Sequence, residues 1–341
     1  MVFVPLHSLI DPLQIPEDGV VFAWEISTEG SQEIHAHQVD LALADPNKSL
    51  WLHLNLSNAR VQRWIRQTPH LPEPLKEAIL DEVNRSRMET IEEFGDGLMM
   101  VMNDYRIGLL KSDEEEETGT LWAIMTPRLM LSLRAHPLQT TDTLRHRLRQ
   151  NRINPTNIVA LYHEMIEERA TYLRRRTDNL SDEIDVLEEN LLTGDRLPEH
   201  ETLGRLRITC SRLRRHYAPE LTALRRLIRR RPTWFSEDDT DKLREQIDLL
   251  AYLVDEVHSL HERAKVLQDE LSAHVADFNA RNLQVLSVMT VIFLPMTLVT
   301  GVMGMNMGDL PGLEHSFWTV MVVMFVAGLS VYLGLRIKRI I

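Results

Sequence analysis

The pattern of hydrophobic and polar positions changes character three times along the chain. Between positions 20 and 133, short apolar runs recur: Val20–Trp24, Ser49–Leu54, Gly97–Val101, Leu121–Ile124 and Leu129–Leu133. Runs of this length, rich in Val, Ile, Leu and Trp and bounded by turn-forming residues, predict strands in a mixed α/β domain. The acidic run Asp113–Glu117 before Thr118-Gly119 reads as the loop of a hairpin. His35 and His37, two positions apart, are placed on one strand face. From Thr156 to Leu192 the period becomes helical, and Gly194 and Pro198 mark a turn. A return helix is expected over Glu199–Arg231, kinked or split at Pro219 because proline lacks a helical N–H.

A second helical pattern starts at Ser236, whose spacing to Asp239 resembles a capping box, with Glu237 and Asp238 in the first turn. No Gly or Pro interrupts Thr233 to Leu294. Leu243, Ile247, Leu250, Val254, Val257, Leu260, Ala264, Leu267, Leu271 and Phe278 recur at three- and four-residue spacing and ask for partner helices. One helix from Glu237 to Met303 would be about 100 Å long. It would tolerate Pro295 as a modest kink inside an apolar span.

The last change is the loss of charge. Leu283–Met303 is uncharged and gives about 31 Å of helix, enough to cross a hydrocarbon core; Ser316–Leu335 just reaches across as well. Both are expected to span a membrane. Arg281, Arg336, Lys338 and Arg339 flank the spans, whereas Met305–His315 holds no Lys or Arg. The positive-inside rule therefore puts both termini in the cytosol. Trp318 and Tyr332 sit near opposite ends of the second span, where amphipathic rings settle at headgroups. The expected organisation is a cytosolic α/β domain (1–153), a helical hairpin (154–235), a stalk helix (236–282), a pore-lining span (283–303), an external loop (304–315), a second span (316–335) and a basic cytosolic tail (336–341). The fold class is an α+β soluble domain followed by a long stalk helix and two transmembrane helices.

Composition narrows the chemistry. A net charge of −12 disfavours nucleic acid as a partner and favours cations. The ten arginines from Arg205 to Arg231 could suit nucleic acid or anionic lipid, but pairing with the acidic preceding helix and with neighbouring subunits is the favoured reading. A single cysteine, Cys210, precludes an intrachain disulfide or a Cys-based zinc site and fits a reducing compartment. The first residues lack a basic stretch followed by an apolar one, so no cleavable signal peptide is expected. No phosphate loop, zincin helix or nucleophile elbow occurs, and no enzyme is expected.

Two helices cannot enclose a pore, so oligomerisation is required. On the first span Leu283, Ser287, Thr290, Leu294, Thr297 and Gly301 share one face, mixing hydroxyls with apolar positions. Such a face suits either pore lining or dry helix packing. Gly304-Met305-Asn306 follows; several copies of the Asn306 amide around an axis would form a ring of acceptors for a hydrated cation. Asp309 and Glu314 in the outer loop either attract cations to the mouth or are ordinary interfacial carboxylates. On the stalk, the spacing of Asp255, His258 and Glu262 permits a shared metal, but a solvated stalk face is the favoured reading.

Asn279-Ala-Arg-Asn282, Phe293-Leu-Pro-Met-Thr-Leu298 and Gly304-Met-Asn306 together resemble the CorA metal-ion transporter family. The resemblance implies a funnel-shaped homopentamer in a bacterial inner membrane, first spans lining the pore, and Gly304, Met305 and Asn306 as the entry filter. It makes Glu245 and Asp248 candidates for an intersubunit cation site. Met307-Gly-Asp-Leu-Pro-Gly312, with Asn84-Arg-Ser-Arg87 and Glu93-Phe-Gly-Asp-Gly-Leu98, is more similar to the zinc-transporting ZntB branch, whereas Met305 is more like the magnesium/cobalt branch. The implied cargo is a divalent cation, Zn2+ before Mg2+, Co2+, Ni2+ or Cd2+, with coupling to protons allowed and no permanently bound cofactor. The implied partners are further copies of the chain, the bilayer and the cation. The alternatives are a magnesium/cobalt channel of CorA type and a membrane-anchored coiled-coil scaffold or sensor that transports nothing.

Overall fold

Seven strands form one sheet in the order β2-β1-β3-β7-β6-β5-β4. They are β1 (Val20–Ser27), β2 (Gly30–Ile34), β3 (Ser49–Asn55), β4 (Arg87–Ile91), β5 (Gly97–Tyr105), β6 (Thr118–Met125) and β7 (Leu129–Arg134). The computed structural model describes residues 15–69, 71–81, 85–92, 96–107, 118–193, 199–304 and 317–337. β3 and β7 run parallel, and every other pair is antiparallel. The inner strands are apolar on both faces because helices cover both. The hairpin β1–β2 turns at Gly30, whose φ of +143° lies where side-chain-bearing residues are strained.

One sheet face, with Ala23, Leu52, Leu54, Val101, Ile124, Leu131 and Leu133, packs on Val39, Val61, Ile65, Leu75 and Ile79. Those residues come from α1 (Val39–Ala44), α2 (Ala59–Gln67) and α3 (Glu73–Leu80). On the other face lie α4 (Gln139–Arg149), α5 (Ile158–Thr193) and α6 (His200–Arg229), with contacts from α4 to β5, α5 to β3 and α6 to β4. Asn157 caps α5 by accepting from the Ala160 N–H. Two further helices follow among the described residues, α7 (Glu237–Gly304) and α8 (Phe317–Ile337). The chain divides into two compact units, Met1–Lys265 and Val266–Ile341.

The expected mixed α/β domain and helical hairpin are present, with corrections. β2 and β4 are additional strands. His35 and His37 are not on a strand: His35 caps a 3-10 turn, Ala36–Gln38, and its N–H donates to the Gln38 side chain. Pro219 does not split α6, which runs unbroken through it. The carbonyl that loses its donor belongs to Arg215, an exposed residue. The expected pairing of α6 arginines with α5 acids takes a different form at its best-defined points. Arg169 of α5 pairs with Glu220 of α6, and the α5 acids Asp185 and Glu188 pair with Arg263 of α7.

Ser236 caps α7 as its sequence suggests. The Ser236 hydroxyl oxygen accepts from the Asp239 N–H at 3.0 Å, and the Asp239 carboxylate accepts from the Ser236 N–H at 3.0 Å. Of the predicted stripe, Leu243, Ile247, Leu250, Val254, Val257, Leu260 and Ala264 are all buried in the first unit. The acidic hairpin loop, positions 113–117, lies outside the described residues.

Candidate functional site

The second unit holds the apolar end of α7 and all of α8. Among the described residues α7 is the one helix long and apolar enough to cross a membrane, and none of its apolar stretch is buried within the chain. α8 contributes a shorter apolar stretch, Met321–Ile337. Exposed Phe293, Leu298, Val302, Val322, Phe325 and Val326 demand an apolar surrounding from lipid or other protein.

Burial separates the faces of α7. Val288, Ile292, Pro295, Met296 and Val299 are the half-buried positions of its apolar stretch. On α8, Gly328 is buried, and a Cβ placed there would lie 2.1 Å from Met296 Cε. The absent side chain at Gly328 thus seats Met296 and brings this side of α7 against α8. At about 100° per residue the face of Leu283, Ser287, Thr290, Leu294, Thr297 and Gly301 lies roughly opposite. All six of its residues are exposed, Leu283 and Leu294 at 63% each. The sequence did not single out Met296 and Gly328; a glycine in the middle of the second apolar run was the available signal.

The hydroxyls on the open face are oriented by their own helix. Thr290 Oγ1 donates to the Leu286 carbonyl at 2.8 Å, and Thr297 Oγ1 donates to the Phe293 carbonyl at 2.9 Å. With the proton spent on the backbone, each oxygen keeps its lone pairs outward as an acceptor. That polarity suits a cation or the water around one. Pro295 lacks an N–H, so the Val291 carbonyl loses its helical donor one turn earlier.

Gly304 is the last residue of α7. Met305, Asn306, Asp309 and Glu314 lie outside the described residues.

The stalk candidates are in the first unit, and all five side chains lie toward the surface of α7: Glu245, Asp248, Asp255, His258 and Glu262. The fold of one chain does not gather them. His258 Nδ1 lies 3.2 Å from Arg214 Nη1, and Glu262 faces Lys265 at 4.0 Å. His261 Nδ1 lies 3.3 Å from the Arg207 carbonyl. Among the described residues no group of three or more His, Cys, Asp or Glu is placed to hold a metal ion.

The chain matches a protein-family model described as CorA-like Mg2+ transporter protein over residues 46–339. It is 29% identical over 310 residues to the divalent cation transporter CmaX of Pseudomonas aeruginosa, covering 89% of this chain and 91% of the relative. It is 28% identical over 328 residues to the zinc transport protein ZntB of Klebsiella pneumoniae, covering 94% of this chain and 96% of the relative. Among solved structures, full-length CmaX superposes with a TM-score of 0.79 at 25% identity, covering 96% of this chain and 99% of that one. The CorA magnesium transporter from Methanocaldococcus jannaschii superposes with a TM-score of 0.74 at 18% identity, covering 93% and 98%, which speaks to the fold alone.

Proposed function

The chain belongs to the family of CorA-like Mg2+ transporter proteins, and from that membership we propose that it carries zinc across a bacterial inner membrane through a homopentameric pore. As a member it is a divalent-cation transporter, not an enzyme. In this reading α7 and α8 both span the bilayer, both termini are cytosolic, and α7 lines the path. The observation that carries it is the division of α7 into two faces. One packs against α8 through Met296 and Gly328. The other presents Thr290 and Thr297 oxygens whose protons are already committed to the backbone. Five such faces around an axis would give rings of acceptors spaced by apolar rings of Leu283 and Leu294. A path without fixed charge suits a cation that keeps much of its water.

Zinc is supported by the full-length likeness to a zinc transport protein and by the sequence Gly308-Asp309-Leu310-Pro311-Gly312. Coupling to a proton gradient belongs to the same proposal. A second reading, magnesium or cobalt, is favoured by Met305 between Gly304 and Asn306. Competition among the three metals separates them.

Gly304, Met305 and Asn306 form the entry filter in this proposal, and Asp309 and Glu314 raise the local cation concentration before it. Asn306→Ala is expected to lower metal flux into proteoliposomes by about tenfold, the loss of about 1.4 kcal/mol in total from the ring of amides at the limiting step. Its oligomer should elute unchanged in size-exclusion light scattering. Wild-type flux from an intact Asn306→Ala oligomer would remove Asn306 from the filter.

A further inference from the structure

The seam between α5 and the start of α7 contains a buried histidine that the transport reading does not use. His163 is 1% exposed. Gln246 of α7 clasps it at two points. The Gln246 Nε2 donates to the His163 carbonyl at 3.0 Å, and Gln246 Oε1 lies 2.9 Å from His163 Nδ1. With Oε1 as acceptor, Nδ1 carries the ring proton and Nε2 is left with a lone pair. Nε2 is buried without a hydrogen-bond partner. The nearest acid is Asp239, whose Oδ1 is 3.8 Å away, beyond hydrogen-bonding distance. Two acceptors therefore face each other across the seam.

Asp239 is not free to close that gap. Its Oδ2 accepts from the Ser236 N–H at 3.0 Å and from the Ser236 hydroxyl at 2.6 Å, holding the first turn of α7. The other charges acting on the ring are Asp238 and Lys242 of α7; on α5 the neighbouring Glu164 feels Glu167, Arg147 of α4, Lys242 and Glu168, and Arg147 pairs with both Glu164 and Glu168. A proton taken from solvent by Nε2 creates an imidazolium in this seam. Either it stays buried without a direct partner, or it draws Asp239 off the cap; both weaken the start of α7.

We propose that His163 is a proton-operated latch on the first turns of α7, closed when the ring is neutral and loosened when the medium around this unit acidifies. Burial, the largest influence, holds the His163 pKa below its ordinary value, with Lys242 acting the same way and the Gln246 bond, Asp239 and Asp238 opposing. A depressed folded-state pKa means the unfolded seam takes up the proton first. The latch's stabilisation is complete above about pH 6.5 and is lost as pH falls below that value. The same helix continues to Gly304 and carries the open hydroxyl face, so loosening its start acts on the transporter's principal helix.

Hydrogen–deuterium exchange of the full-length protein in nanodiscs at pH 7.5 and 5.5, corrected for intrinsic rates, reads the latch whether or not the protein moves zinc. Peptides covering 158–166 and 237–247 are expected to lose protection at pH 5.5, by at most about tenfold, the single pH unit between 6.5 and 5.5 setting the ceiling. His163→Gln should show equal protection at both pH values. Constant protection in the wild type, or the same acid-induced loss in His163→Gln, would overturn the proposal. Should His163→Gln fail to fold, Gln246→Glu serves instead. A carboxylate at 246 favours the imidazolium, so the acid-induced loss should shrink or reverse, and an unchanged loss would overturn the latch.

Discussion

Arg169→Met is expected to destabilise the Met1–Lys265 unit by about 3–5 kcal/mol, the cost of stranding a buried charge. Arg169 lies between α5, α6 and the end of β5, and it is 3% exposed. Its Nε donates to Glu220 Oε1 at 2.5 Å, its Nη2 also reaches Glu220 Oε2 and the Asn103 carbonyl, and its Nη1 lies 3.4 Å from Asp104. Glu220 is fully buried and Asp104 is 4% exposed. Burial pushes the Asp104 carboxyl above its usual range, and the Arg169 charge is the main influence pulling it back. Without the guanidinium, two carboxylates remain in the interior. Denaturant unfolding of the full chain, followed by tryptophan fluorescence from the buried Trp51 and Trp122, measures the loss. Adding Glu220→Leu should recover part of it, because the pair matters mainly through the charge left behind. A loss below about 1 kcal/mol for Arg169→Met would show that the pair is dispensable.

Thr290→Arg is expected to abolish divalent-cation flux, by at least about a hundredfold, while Thr290→Ser retains it. The substitution would set one guanidinium per copy on the open face of α7, each repelling a divalent ion by several kcal/mol at an effective dielectric of about 20. Each 1.4 kcal/mol is about tenfold in rate. Thr290→Val, which removes only the acceptor oxygen, should lower flux by about fivefold, the worth of roughly one hydrogen bond. The measurement is metal entry into proteoliposomes after the oligomer has been checked by light scattering. Normal flux through an intact Thr290→Arg oligomer would show that this face does not line the path. If the arginine prevents assembly, the valine variant decides.

The elements legible in the sequence were those whose burial repeats on a local period. β1, β3, β5, β6 and β7 stand out because helices cover both faces of the sheet's interior, which demands unbroken apolar runs. β2, Gly30-Ser-Gln-Glu-Ile34, and β4, Arg87-Met-Glu-Thr-Ile91, do not, because both are edge strands held by backbone pairing to one neighbour. The long helix was legible from cap to end, since Ser236 and Asp239 are three residues apart and no glycine interrupts the chain from there to Gly301. His35 and His37 misled because a two-residue spacing also fits a turn closed by Gln38. Nothing in the sequence pattern marks Arg169, because its partners Glu220 and Asp104 lie far away in sequence and meet it only in the folded chain. The hydroxyl face of α7 followed from helical period, but its opposition to the α8 contact required Gly328 to be seen against Met296. Asp255, His258 and Glu262 share a spacing that permits a metal, and in the folded chain Arg214 and Lys265 stand beside His258 and Glu262.

Metal entry into proteoliposomes bearing the purified full-length protein tests the central claim most directly. A zinc-responsive dye inside the vesicles, with and without a pH gradient, should report zinc entry that grows with the gradient. Magnesium and cobalt should compete weakly. Entry of magnesium or cobalt without zinc would assign the magnesium/cobalt cargo instead and make Met305 the better guide to it. Silence for all three metals from a verified oligomer would contradict transport itself and leave a membrane-anchored scaffold.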